Sequence, residues 1–266
     1  MSVFKDFNEL ERSVDTSTVQ YNGLKLWGYL RIYYFDKYFT KASNWEKSSS
    51  FSLTSVLKAL LWGNFCLKKF DNIVITHSDE RRFIDDFLTD KLDLIDGFNE
   101  ESLFVEFPSS KYTNRKLFKS KNVYSKYWWY LIEIILEKIN IRRIEFDSLV
   151  VDNIKKKLDI EADDQYLLKR FDAQYRVTKW FLKKHRVNHM FITSAYTNMA
   201  RVAAAKELGV KVIELQHGLI SEQHIGYNTL TNVDGRLLPD NIWVYGKNDK
   251  ELVVNGNVVS RENCNV

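Results

Sequence analysis

The feature that most constrains the fold of this chain is a strand–helix–strand pattern between residues 189 and 215. The apolar run 189–193 predicts a strand, and the apolar stripe after it predicts a helix that Thr197 caps and Gly209 stops. A second apolar run, 210–215, predicts the next strand. Two strands joined by one helix make a βαβ unit with parallel strands and a right-handed crossover. The pattern therefore predicts an α/β domain with a parallel sheet.

Shorter patterns predict further elements. Apolar and β-branched runs predict strands at 72–76, 102–108 and 242–246, and apolar residues three and four apart predict helices at 53–65, 124–139 and 164–185. Residues 1–246 are expected to form one domain. The last stretch, 247–266, is too short for a second domain and is expected to be a tail or a truncated linker.

Composition argues against several classes of protein. The 266 residues carry a formal charge of +4, far from the concentrated positive charge of a dedicated nucleic-acid binder. The two cysteines, Cys66 and Cys264, lack metal-type spacing, so neither a zinc site nor a disulfide framework is expected. The most apolar window, 127–136, is well short of the ~20 residues that a membrane-spanning helix needs. The first residues lack the pattern of a signal peptide, so a cytoplasmic location is expected.

Polar residues follow the two strands of the βαβ unit at the points where these strands end. Ser194 and Tyr196 come after the first strand, and Gln216, His217 and Gly218 come after the second. The carboxyl ends of parallel strands meet at one edge of the sheet, where open α/β folds bind ligands. An imidazole there can donate a hydrogen bond or transfer a proton near neutral pH, and a glycine lets the backbone turn or approach a ligand. These residues are the candidate site for a polar, oxygen-rich ligand.

A structural explanation stands beside the functional one for each candidate residue. His217 at a strand end can simply hydrogen-bond a backbone carbonyl. His224 and Tyr227 are as consistent with packing as with ligand binding. His77 and Arg81 follow an earlier predicted strand, and they indicate either an anion-binding site or a solvated loop.

Sequence motifs for several chemistries are missing. The chain contains no nucleophile elbow, Walker loop, GxGxxG fingerprint, HExxH helix or paired-cysteine site. Hydride transfer and ATP hydrolysis therefore lose support, and no cofactor or metal is expected. The basic and aromatic stretch 111–143 indicates either peripheral contact with an anionic membrane surface or a helix with a solvated basic face and a buried aromatic face. Binding of single-stranded nucleic acid is a third interpretation, which the overall charge disfavours.

Several stretches carry a family resemblance. They are AAAKELGVK at 203–211, VIELQHGLI at 212–220, HIGY at 224–227, LPD at 238–240 and WVYG at 243–246, with Trp27, Arg31 and the segment 71–79 near the start. Together they resemble the amino-terminal half of bacterial surface-polysaccharide glycosyltransferases of the two-domain GT-B type, which act in capsule or lipopolysaccharide assembly. The QHG segment is the most telling part of this resemblance.

The resemblance implies a Rossmann-like, acceptor-side domain, with His217 and Gly218 lining a cleft. In that cleft a sugar would pass from a nucleotide sugar to a glycan or lipid-linked acceptor without a bound metal. His217 would either contact the leaving phosphate or deprotonate the acceptor hydroxyl. Too few residues follow Gly246 for a donor-binding domain, so the chain is expected to be incomplete alone and to need a second polypeptide.

Two other interpretations remain beside sugar transfer. The chain could be a non-catalytic glycan-binding module or an inactive truncated remnant of an enzyme. It could also be a self-sufficient sugar-nucleotide enzyme such as an epimerase, but no complete nucleotide site can be located in the sequence.

Overall fold

The computed structural model describes residues 3–43, 68–75, 82–89, 92, 98–106, 116, 118–119, 122–139, 144–229 and 233–266. The helix predicted at 53–65 and the residues Cys66, His77 and Arg81 lie outside these described residues. Their predicted roles therefore stay predictions.

The described chain contains both helices and strands. The helices are α1 Val3–Arg12, α2 Trp27–Ser43, α3 Phe98–Glu101, α4 Lys126–Ile139, α5 Ser148–Leu158, α6 Asp164–His185, α7 Met199–Glu207 and α8 Lys247–Asn255. The strands are β1 Gln20–Tyr21, β2 Leu24–Lys25, β3 Asn72–Ile75, β4 Arg82–Ile84, β5 Phe87–Thr89, β6 Ser102–Glu106, β7 Val123–Ser125, β8 His189–Ile192, β9 Lys211–Leu215, β10 Asn241–Trp243 and β11 Cys264–Asn265.

Seven of the described strands form one sheet in the order β11-β10-β9-β8-β3-β6-β7. Every neighbouring pair in this sheet is parallel. From β3 the chain builds outward through β6 to β7, and it then returns to β8 on the other side of β3 and builds outward to β11. This is the doubly wound order of Rossmann-like folds, and its switch point lies between β3 and β8. The predicted α/β class with a parallel, Rossmann-like sheet is confirmed.

The predicted βαβ unit is formed by β8, α7 and β9. Strands β8 and β9 are adjacent and parallel, with His189 opposite Lys211 and Ile192 opposite Glu214. Because side chains alternate along a strand, each of these strands contributes to both faces of the sheet. One face packs against α4, α6 and α7 through residues such as Met190, Ile192 and Val212. The opposite face carries Phe191, Ile213 and Leu215, which are also buried.

Helix α6 has the bounds that its periodicity predicts. The carboxylate of Asp163 caps it by accepting a hydrogen bond from the backbone N–H of Tyr166, and Arg186 ends it in the left-handed conformation at φ 54°. Its first half packs with α1, α2 and α5 through Leu168 and Phe171. Its second half packs on the sheet, so α6 joins two cores.

Three local predictions differ from the structure. Thr197 does not cap α7: it lies in a 3-10 turn and its hydroxyl donates to the carbonyl of Ser194, while Asn198 occupies the N-cap position. The helix predicted from residue 124 begins at Lys126, because 123–125 pair with β6 as an edge strand. Residues 247–266, expected to be a tail, form α8 and β11, and β11 pairs with β10.

The basic and aromatic stretch 111–143 is described only in part. Trp129 is fully buried, as the interpretation of a helix with a buried aromatic face requires. Lys126, however, is buried as well, so this lysine does not belong to a solvated basic face. Among the described helices, none combines the length and the apolar character needed to cross a membrane.

Candidate functional site

The two strand ends singled out in the sequence meet at the carboxyl edge of the sheet. The Ser194 hydroxyl oxygen lies 3.0 Å from Nε2 and 3.4 Å from Nδ1 of His217. His217 is half-buried, and Ser194 is almost fully buried. A serine hydroxyl and an imidazole that follow adjacent strands β8 and β9 are therefore in hydrogen-bonding contact.

Ser194 adopts a left-handed backbone conformation, with φ 54° and ψ 61°. This conformation costs a non-glycine residue about 1–2 kcal/mol. It turns the chain sharply from β8 into the 3-10 turn, and the Ser194 carbonyl then accepts hydrogen bonds from Thr197 and from the Asn198 side chain. The turn holds the Ser194 hydroxyl beside His217, and backbone strain of this kind is concentrated at functional sites.

Gln216 lies next to His217, but its side chain is turned inward. It is 3% exposed, its Nε2 donates to the carbonyl of Gly218 over 2.8 Å, and its Oε1 accepts from the backbone N–H of Tyr245 over 2.7 Å. The amide thus ties the end of β9 to the chain that follows β10. Gly218 is exposed, and a Cβ built on it would meet nothing within 4 Å, so the glycine leaves open space beside His217.

His224 and Tyr227 pack with Tyr196 in a group of three rings. The His224 ring centroid lies 5.1 Å from that of Tyr196 and 4.8 Å from that of Tyr227. Gly226 lies against the Tyr196 ring so closely that a Cβ would overlap it. Burial lowers the pKa of His224, and the charge of nearby His217 lowers it further. The predicted residues Ser194, Tyr196, His217 and His224 therefore form one cluster, which we call the histidine cluster.

Glu214 lies beneath the histidine cluster and was not predicted as a site residue. It is 1% exposed, its carboxylate accepts a 2.7 Å hydrogen bond from the Tyr227 hydroxyl, and it also accepts from the backbone N–H of Ala195. Burial raises the pKa of Glu214 to about 7, against the opposing effect of these two hydrogen bonds. A lone carboxylate inside the apolar strand Val212–Leu215 was the sequence signal for it. Tyr227 is committed to this internal contact and is 3% exposed.

Another buried ionisable group at the same edge belongs to a different part of the sheet. Lys126 follows β7, which is separated from β8 by β3 and β6. Burial lowers the pKa of Lys126 to about 7, and the nearby charge of Arg201 acts in the same direction. Lys126 is therefore not part of the histidine cluster.

The histidine cluster lies at the carboxyl edge of the sheet, where His217 and His224 are half-buried and Gly218 is exposed. Two cavities beside α6, of about 540 and 670 Å³, are lined by other residues, and neither includes a member of the cluster. The described residues contain no group of three or more His, Cys, Asp or Glu side chains that could hold a metal ion. The chemistry available at the cluster is that of hydroxyl groups, imidazoles and one buried carboxyl.

Comparison of the chain with models of known families, with curated proteins and with solved structures found no match. The functional argument therefore depends on the geometry of the histidine cluster.

Proposed function

We propose that this chain is a glycosyltransferase-like protein of bacterial surface-polysaccharide assembly, which holds a sugar substrate at the carboxyl edge of its sheet. The observation that supports this most is the contact between Ser194 and His217 at the ends of two adjacent parallel strands. Ligands of doubly wound folds bind beyond the carboxyl ends of the strands. The proposal takes the reaction to be cytoplasmic, with a nucleotide sugar as donor and a glycan or lipid-linked acceptor.

In this proposal His217 is the residue that touches the reacting groups. Its imidazole can accept a proton from an acceptor hydroxyl, or donate a hydrogen bond to the phosphate that leaves with the nucleotide. Ser194 orients the imidazole from below, and the open space at Gly218 admits the ligand. In this proposal a second polypeptide is the partner that presents the nucleotide sugar.

Binding titrations with a panel of nucleotide sugars and lipid-linked glycans test this function. We expect wild-type protein to bind at least one compound and His217→Ala to bind it about tenfold more weakly, because a hydrogen bond to the ligand is lost. His189→Ala is the matched control, since His189 starts the strand β8 at the opposite, amino edge of the sheet. No binding to any compound, or equal binding by wild type and His217→Ala, would refute the proposal.

A binding module without turnover is the second candidate function. It is favoured by the inward-turned side chains of Gln216 and Tyr227, whose hydrogen bonds are made within the protein. Release of nucleoside diphosphate from the bound donor discriminates between the two candidates. A transferase releases it when an acceptor is added, whereas a non-catalytic glycan-binding module releases none.

A further inference from the structure

A buried ion pair connects the amino-terminal helices to the histidine cluster. Arg31 of α2 donates from Nε and Nη2 to the two carboxylate oxygens of Glu11 in α1, over 2.8 and 2.9 Å, and both side chains are 1% exposed. The indole N–H of Trp27 donates to the same carboxylate over 2.6 Å. Buried pairs of this kind seldom stabilise a fold more than well-packed apolar residues of similar volume would. The third contact of Arg31 suggests another reason for the pair.

That third contact reaches the chain next to His224. Nη1 of Arg31 donates to the carbonyl of Ile225 over 2.8 Å. Ile225 is buried, and its carbonyl belongs to the irregular stretch 216–229 between β9 and β10. The planar guanidinium of an arginine can donate two hydrogen bonds to a carboxylate and a third to a carbonyl, which a lysine ammonium cannot do in this geometry.

Contacts of the neighbouring residues couple the position of Ile225 to that of His224. Gly226 lies directly against the Tyr196 ring, and its N–H donates to Nδ1 of His224 over 3.2 Å. On the other side, the hydroxyl of Tyr227 is fixed to Glu214. A shift at Ile225 therefore changes the place of the His224 ring relative to Tyr196 and His217.

We propose that Arg31, held by Glu11, is a positioning residue of the site and fixes His224 through the Ile225 carbonyl. This rests on the proposed function, because it takes His224 to be part of the ligand site. Arg31 touches no ligand in this proposal and acts only through the backbone of 224–227. The amino-terminal helices α1 and α2 thereby help to position a site whose residues lie about two hundred positions later in the chain.

The test compares the titration of His224 and His185 by NMR in the protein without ligand. The double variant Glu11→Gln/Arg31→Met removes both charges together and keeps an acceptor for Trp27, so no unpaired charge stays buried. Arg31→Lys is the second variant, since an ammonium group can form an ion pair with Glu11 but cannot also donate a hydrogen bond to the Ile225 carbonyl. His185 is the internal control: its pKa is also lowered by burial, and it contacts Lys68 and Phe181 in a different core.

We expect the titration midpoint of His224 to rise toward 6.5 in both variants, because burial lowers its pKa in the wild-type protein, while the midpoint of His185 stays unchanged. His217, Tyr196 and Tyr227 face His224 in the wild-type protein. A His224 ring that is released from its place loses burial and the influence of the His217 charge, and both changes raise its pKa. An unchanged His224, or parallel shifts of His224 and His185, would overturn the proposal. The NMR titration uses no ligand. Its result therefore tests the role of Arg31 even if the binding titrations with nucleotide sugars fail.

Discussion

Glu214 is the residue of the candidate site whose ionisation depends most clearly on its burial. Its carboxyl group is buried beneath the histidine cluster, and its pKa is raised to about 7. Near neutral pH the group therefore changes between a protonated form that burial favours and a carboxylate that burial disfavours. The Glu214 carboxyl group is hydrogen-bonded to the Tyr227 hydroxyl, and the Tyr227 ring packs against His224.

Glu214→Gln is predicted to change how stability depends on pH. A pKa raised in the folded state contributes stability that is present below the unfolded value of about 4.5 and is lost as pH rises through about 7. The glutamine variant has no such loss, so its stability relative to wild type should increase between pH 5 and pH 8, by up to about 3 kcal/mol. Urea unfolding at the two pH values measures this difference.

Glu222→Gln serves as the control for that experiment, because Glu222 is an exposed carboxylate in the same stretch of chain. The lowered pKa of His224 and of His185 acts in the opposite direction, since those groups lose stability as pH falls. Both are present in wild type and variant and so largely cancel. Identical pH dependence of wild type and Glu214→Gln would show that the pKa of Glu214 is not raised in the folded protein.

Among the elements, α6 is a long helix that takes part in two cores of the fold. Its amino-terminal half lies in the core with α1, α2 and α5, and its carboxyl-terminal half covers the sheet. Its periodic sequence predicts both ends, because a long amphipathic helix with an aspartate at the N-cap carries its own boundary signals. The short edge strand β7 carries no such signal, and only its pairing with β6 defines it.

Loss of the α6 cap is predicted to destabilise the whole protein. In Asp163→Ala the backbone N–H of Tyr166 loses its side-chain acceptor, and we expect a loss of about 1 kcal/mol in the free energy of unfolding. Asp163→Asn should restore most of it, and Glu161→Ala, at an exposed position just before the cap, should change little. If Asp163→Asn were as unstable as Asp163→Ala in urea unfolding, the capping explanation would be wrong.

At the scale of the whole molecule, the end of the chain closes one side of the sheet. β11 pairs with β10, and Cys264 is fully buried against Ile242, Val253 and Val258. Lys250 of α8 also donates to the carbonyl of Cys264. The segment that its short length suggested as a tail is therefore part of the core at this edge.

Removal of residues 261–266 is predicted to lower the free energy of unfolding by about 2 kcal/mol, because β10 loses its outer partner and a buried side chain is lost. Deletion of Val266 alone is the control, since that residue is 67% exposed and follows the strand. Urea unfolding and amide exchange at β10 measure both. Unchanged exchange at Ile242 after the longer deletion would contradict the role given to β11.

Sequence alone determined the elements whose burial pattern is local. The strands β3, β6, β8 and β9 and the helices α6 and α7 repeat with the periods of their own backbones, so their existence could be predicted. The parallel βαβ arrangement could be predicted for β8, α7 and β9. Sequence also placed Ser194 and His217 at the same sheet edge, since both follow strands of one βαβ unit. It suggested neither the inward turn of the Gln216 amide nor the role of Glu214.

Only the tertiary structure decided which distant residues meet. Periodicity records that a face is buried, but it does not name the partner that buries it. The strand order that brings β8 beside β3, and the contact of Arg31 with the Ile225 carbonyl, depend on packing between segments far apart in the chain. The local sequence determines which residues lie at the carboxyl edge of the sheet. Packing between distant segments determines which side chains contact one another there.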